Sequence, residues 1–259
     1  MEEKIINIKD CLGNCYYEPY LFPETEITSD GWQTSVSTSM SASKYESNGT
    51  MNIELFRHLS YTGTYQMPMV KPYNGKIPEF LIPNYRLSRR TMTCGVCPCF
   101  YTDDTQFERA WNKPREFIKS LTRYTYVTSP DFSVFLDLPR PIQMTNIFKN
   151  KALAAWWQSM SINVIPSISW TNIKHIEEDL DGWPMSSVIA INSTGIGLDK
   201  RAKHNWIEGY EATVDTLKPT FILRYGAIQE SERAEISRYY PNANRLNLKL
   251  ISNGRQRII

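Results

Sequence analysis

From Tyr124 to Trp170 a short apolar run is followed by a polar loop, then a long stretch with apolar residues at helical spacing, then a second β-branched run. That order predicts strand, loop, helix, strand, a βαβ unit, and such a unit implies a parallel sheet. The same alternation extends in both directions. Upstream, Tyr65–Val70 and Phe80–Ile82 read as short β-like runs whose prolines make them edge strands or extended loops, and Cys94–Tyr101 reads as a buried strand. Thr105 with Glu108 then forms a candidate capping box for a short helix carrying Phe107 and Trp111 on one face, broken or ended at Pro114.

The long helix is predicted from about Pro141 to Met160, with proline in its first turn, where a missing N–H costs nothing. Ile162–Ile168 is the returning strand. Ile173–Leu180 predicts a short helix, Ser187–Ile191 a strand covered on both faces, and Lys203–Lys218 an amphipathic helix with Trp206, Ile207, Tyr210, Val214 and Leu217 on one stripe. After Pro219 come a strand at Thr220–Tyr225, a helix within Gln229–Tyr240 and an alternating edge strand at Arg245–Leu250. Five or more such repeats with right-handed crossovers make the expected fold α/β with a mainly parallel sheet, either TIM-barrel-like or open and doubly wound. Thr28–Thr50 is rich in Ser and Thr and poor in large apolar residues, so residues 1–60 are expected to be an extension with a linker and 61–259 the α/β domain.

Composition narrows the function classes. Lys and Arg number 29 against 27 Asp and Glu, a formal charge of +2, so no global field commits the chain to nucleic acid or to an anionic membrane. No window approaches ~18 consecutive apolar residues, and the acidic, polar start MEEKIINIKD is unlike a secretory signal. A cytoplasmic protein with reduced cysteines is the expectation. Cys11, Cys15, Cys94, Cys97 and Cys99 could in principle make a thiolate metal site; Cys97 and Cys99, two apart in a strand, read better as small buried residues on one face. His58, His175 and His204 lack zinc-hydrolase spacing, and there is no G-x-S-x-G elbow.

If the strands are parallel, their carboxyl ends bring one set of polar residues to one edge: Asp103 and Asp104; Ser129 and Asp131; Ser169 and Trp170; Asn192, Ser193 and Thr194; Arg224, Tyr225 and Gly226. Asp104 and Asp131 are the sharpest pair, because two carboxylates on neighbouring loops can divide acid and base roles or hold a divalent cation. Each also has a local alternative, Asp104 as a helix cap and Asp131 after Pro130 in an Asx-turn. Gln143 and Asn146, three apart near the start of the long helix, face the same edge, and with Asn150 they also fit a solvated stripe. Trp156, Trp157 and Met160 read as core. Asn192–Gly197 lies between a strand and a helix, where it is either a phosphate cradle or an ordinary glycine turn. Basic clusters at Tyr85–Arg90 and at Lys249, Arg255 and Arg257 are solvated surface or phosphate contacts.

The motifs Pro68-Met-Val-Lys-Pro72, Asp103-Asp104 followed by Phe107-Glu-Arg-Ala-Trp111, Ser129-Pro-Asp-Phe-Ser133, Gln143 with Asn146, Ala155-Trp-Trp-Gln158 and Val164-Ile-Pro-Ser-Ile-Ser-Trp170 resemble the domain-of-unknown-function family DUF4417 of bacteria, phages and mobile elements. The resemblance runs from about Tyr65 to Gly226. It implies an α/β domain whose recurrent polar positions fall here on Asp104, Asp131, Gln143, Asn146, Gln158 and Trp170, and a phage or mobile-element protein in a bacterial host cytoplasm. The cysteine clusters and the Ser/Thr-rich extension depart from the family pattern.

Two functional readings follow. One is an enzyme acting on a nucleotide, nucleic acid or other phosphate-bearing substrate, with a divalent metal ion as a conceivable cofactor, Asp131 as base or metal ligand, Asp104 as its partner, Gln143 and Asn146 as orienters, and Trp170 in the site. The other is a noncatalytic protein that binds a protein partner through its extension and basic patches.

Overall fold

The computed structural model describes residues 50–87, 94–196, 200–227 and 233–241. Cys11, Cys15, the Ser/Thr-rich segment before Thr50, Ser88–Arg90, Gly197, Gln229, the stretch Arg245–Leu250 expected to be a strand, and the basic tail lie outside them. The chain divides into two compact units, Met1–Leu59 and Ser60–Ile259. In the first, a 3-10 turn at Thr50–Asn52 leads into helix α1 (Ile53–Phe56).

The second unit mixes helices with short parallel sheets. An antiparallel pair, β1 (Tyr61–Thr62) and β2 (Met67–Pro68), opens it. Then β3 (Phe80–Pro83) pairs in parallel with β4 (Val96–Cys99), and β5 (Val127–Thr128) with β6 (Val164–Ile165). The strands β7 (Val188–Asn192), β8 (Phe221–Tyr225) and β9 (Ser237–Tyr240) form a parallel sheet in that order. A parallel bridge from Ser167 to Ala190 links the β6 segment to β7. The helices are α2 (Arg109–Asn112), α3 (Pro114–Leu121), α4 (Arg140–Ser159), α5 (Ile176–Leu180) and α6 (Lys200–Leu217). The fold is therefore α/β with parallel pairing, and among the described residues no closed barrel is found. No helix among them is long and apolar enough to cross a membrane.

Strand alternation sorts the β4 side chains onto two faces. Cys97, Cys99 and Tyr101 point into a buried cluster with Tyr73, Leu81, Tyr126, Ile165, Val188, Ala190, Leu223, Tyr225 and Tyr240. Phe100 points the other way, packing at 5.3 Å from Phe107 and 5.7 Å from Trp157 of α4. The cysteines are thus free thiols in the interior, and burial pushes both well above the usual thiol range. Trp156 and Trp157 are buried, as core residues should be.

Two local expectations are corrected and one is extended. The Thr105–Glu108 capping box does not form: Asp104–Gln106 takes a 3-10 turn, and α2 starts later with no side-chain cap. Pro114 ends the preceding helix as expected, α2 stopping at Asn112, and it also opens α3, whose first turn it occupies. The described part of Gln229–Tyr240 is a 3-10 turn and then β9, because Tyr239 and Tyr240 are aromatic residues that pair well beside β8.

Candidate functional site

The parallel register delivers the ends of β5, β6 and β7 to one place, and a cleft of about 780 Å³ opens there. Asp131, Ser169, Trp170, Asn192 and Thr194 all line it, five of the residues expected on that edge. Pro130 and Pro166 fix the backbone just past β5 and β6, so the chain leaves each strand in extended form toward the cleft. Beneath it, Ser129 Oγ accepts from the Ser167 N–H at 2.7 Å, and the Tyr101 and Ser167 hydroxyls share a hydrogen bond of 2.9 Å.

Asp131 is the chemical centre. Protein surrounds its carboxyl group while part of the residue still meets the cleft. That desolvation, reinforced by the Asp104 carboxylate, pushes its pKa up to about 7 against the pull of hydrogen bonds from Ser169 and Asn192. Asn192 Oδ1 is already committed to the Thr194 N–H at 2.8 Å, so it is the Asn192 amide NH₂ that serves Asp131. None of the groups acting on Asp131 is a cation.

The other sequence-predicted residues take different places. The Asp104 carboxylate accepts from Ser133 N–H and Oγ at 3.2 and 3.0 Å, so it stands behind the loop it holds and acts on Asp131 through charge. Gln143 and Asn146 donate to the carbonyls of Phe135 and Ser133, at 2.8 and 2.7 Å. Asn150 of the same stripe brackets Phe132, accepting from its N–H at 2.7 Å and donating to its carbonyl at 3.2 Å. This polar face of α4 is neither solvated nor in the cleft; it clamps the 132–135 segment that follows Asp131. Gln158 does the same for Lys71 through two bonds of 2.8 Å.

One wall was not legible in the sequence. Arg201, Ala202, Asn205 and Trp206 from the start of α6 line the cleft, and so do Phe135 and Leu136 at its rim. Trp206 donates from Nε1 to the Asn192 carbonyl at 3.0 Å, stacks on Tyr210 at 5.2 Å, and lies 4.6 Å from the buried Arg224 guanidinium. Trp170 crosses α6 at Gly209, where any Cβ would overlap the indole. The signal was present as helical spacing, but periodicity alone assigns Trp206 to the core. The Asn192–Gly195 stretch is an Asx-turn with Gly195 at φ 86°, and the Ser193 N–H is taken by the Tyr225 carbonyl at 2.8 Å. It behaves as a glycine turn, with two N–H groups of a would-be phosphate cradle already used.

Residues 59–241 match the model of the domain of unknown function DUF4417. The chain belongs to this family. Similar relatives are the Gene 1 protein of Mycobacterium phage L5, 31% identical over 186 residues that make up 70% of this chain and 80% of the relative, and the Gene 1 protein of Mycobacterium phage D29. The latter is 26% identical over 171 residues, which span 65% of this chain and 63% of that protein. No solved structure matches the chain. Every residue lining the cleft falls within the DUF4417 span, so the cleft belongs to the family domain and not to the extension.

Proposed function

We propose that this DUF4417 protein is an enzyme of phage or mobile-element origin that binds a nucleotide or other phosphate-bearing substrate in the cleft and uses Asp131 as a general acid or base. The observation that carries the reading is a cleft carboxyl with no cation beside it and a pKa of about 7, where a proton is given up and recovered with equal ease at neutral pH. Ser169 and Asn192 orient the carboxyl, and Asp104 raises its proton affinity. Gln143, Asn146 and Asn150 are orienters at one remove, since they hold the loop and not the substrate. Trp170 and Trp206, tilted 45° to each other, supply an apolar wall, and Arg201 brings a positive charge to the lining.

A barrel-like closure of the strands accompanies this reading. It is supported by the shared interior cluster that draws on β3, β4 and β6–β9, by the Ser167–Ala190 bridge, and by Tyr240 Oη donating to the Pro78 carbonyl ahead of β3 at 2.6 Å. In such folds the carboxyl ends of the strands carry the chemistry.

The test is untargeted. The full chain and its Asp131→Asn variant are incubated with a bacterial metabolite extract, and the extract is profiled by mass spectrometry. A phosphate-bearing compound consumed by the wild type and spared by the variant is the expected result. No compound changed, or the same change with both proteins, contradicts the proposal.

A further inference from the structure

We propose that the cleft selects a flat heteroaromatic ring that presents two adjacent N–H donors to Asp131, the edge carried by a guanine-type base. This rests on the cleft being a ligand site, and it adds the ligand's hydrogen-bonding pattern.

The argument is one of complementarity at the floor and the walls. A carboxylate offers about four acceptor positions. Ser169 and the Asn192 NH₂ each occupy one, which leaves acceptor capacity and no protein cation to meet it. Asn205 also lines the cleft; one of its Nδ2 hydrogens is committed to the Thr171 carbonyl at 2.7 Å, and its Oδ1 is a further acceptor. Around Asp131 the floor therefore offers unmet acceptor positions. A ligand supplying neighbouring N–H groups satisfies it, whereas one supplying acceptors leaves buried lone pairs facing each other.

The walls call for a flat body. Trp170 and Trp206 stand 5.9 Å apart at 45° along one side. Phe135 and Leu136 are 60% and 49% exposed at the rim, large apolar side chains held open on a segment that Gln143, Asn146, Asn150 and Asp104 fix in place. A ring lying between these surfaces removes apolar area from water on both of its faces. A free guanidinium would also present two donors, but it is too small to fill a cleft of about 780 Å³ between these walls.

The pH dependence follows from the charged neighbours. Asp104 faces Asp131 through the loop, Asp137 and Arg201 line the cleft, and Tyr101 and Cys99 lie beneath with their ionisation pushed far above neutral, so they stay uncharged. A two-donor edge needs the ionised Asp131. Binding should therefore strengthen as pH rises through about 7.

Guanosine, inosine and adenosine are titrated against the full-length protein at pH 6 and pH 8, following tryptophan fluorescence and calorimetric heat. Guanosine is expected to bind at pH 8 about tenfold or more tighter than inosine, which lacks the 2-amino donor. It should lose affinity several-fold at pH 6, and Asp131→Asn should abolish the preference while the variant keeps the wild-type circular dichroism spectrum. Equal affinity for guanosine and inosine overturns the inference, and so does an adenosine preference that strengthens at pH 6. If none of the three binds while the metabolite extract yields an Asp131-dependent substrate without such an edge, the inference fails and the enzymatic reading stands. If neither nucleosides nor extract engage the protein, both fail.

Discussion

Two aspartates of this protein sit deep in the same domain, on either side of the Trp170–Thr171 segment, and are treated in opposite ways. Asp179, on α5, is fully buried and surrounded by donors: the Thr171 N–H at 2.7 Å, the Thr171 hydroxyl at 2.6 Å and Arg140 Nη1 at 2.7 Å. Lys151 of α4 donates to the Asp179 carbonyl at 2.8 Å, and Arg140 reaches on to Glu178. Asp131 faces the cleft with two neutral donors, a repelling carboxylate behind it and no cation. A carboxylate whose job is to tie α4, α5 and the β6 loop together is neutralised. One left short of a partner holds its proton weakly enough, and strongly enough, to exchange it at neutral pH, and stability is forgone to keep it so.

The comparison breaks most visibly at Asp179. Asp179→Ala removes the buried carboxylate that Arg140 Nη1 and Thr171 bond and whose charge supports Lys151, while the Lys151 bond to the residue 179 carbonyl survives, and a loss of about 3–5 kcal/mol in urea unfolding is expected, as for other half-removed buried pairs. Asn150→Ala frees both backbone groups of Phe132 and should cost about 2 kcal/mol by the same measurement, with loosened protection of residues 132–135 in hydrogen exchange.

Asp131→Asn should behave unlike either. The folded pKa of about 7 lies above the unfolded value, so the wild-type carboxyl favours the folded state below pH 4, and that advantage is lost as pH rises to about 7. The asparagine variant escapes this loss. It should match the wild type near pH 4 and be more stable at pH 8, by roughly 1 kcal/mol once the cleft's water is allowed for. The smallest effect concerns Lys151, whose burial brings its pKa down to about 7. With a depressed pKa, the wild type gains stability as pH rises from 7 toward 10, so Lys151→Met should flatten that slope while changing stability at pH 7 by less than about 1.5 kcal/mol.

Much of this contrast was legible at the Asp131 end and little at the Asp179 end, for a physical reason. The βαβ order places Asp131, Ser169, Trp170 and Asn192 on one edge, because each follows closely on an apolar run. Arg140, Lys151, Thr171 and Asp179 meet only through the packing of α4 on α5, and nothing in their spacing announces it. Trp206 shows the intermediate case: its helical stripe was readable, but whether that stripe met the core or a cleft depended on where Gly209 let Trp170 cross the helix. The parallel sheet was legible in outline, while the strand ladders proved shorter than the apolar runs. Pro130 follows β5 closely, and beyond Pro166 the ladder continues as the Ser167–Ala190 bridge.

The central claim is that Asp131 titrates near neutrality in the free protein. It is tested most directly by following the ¹³Cγ resonance of Asp131, assigned by its absence in Asp131→Asn, from pH 3 to pH 9. A single transition with its midpoint near 7 is the predicted result. A midpoint near 4, in the ordinary aspartate range, would contradict the account.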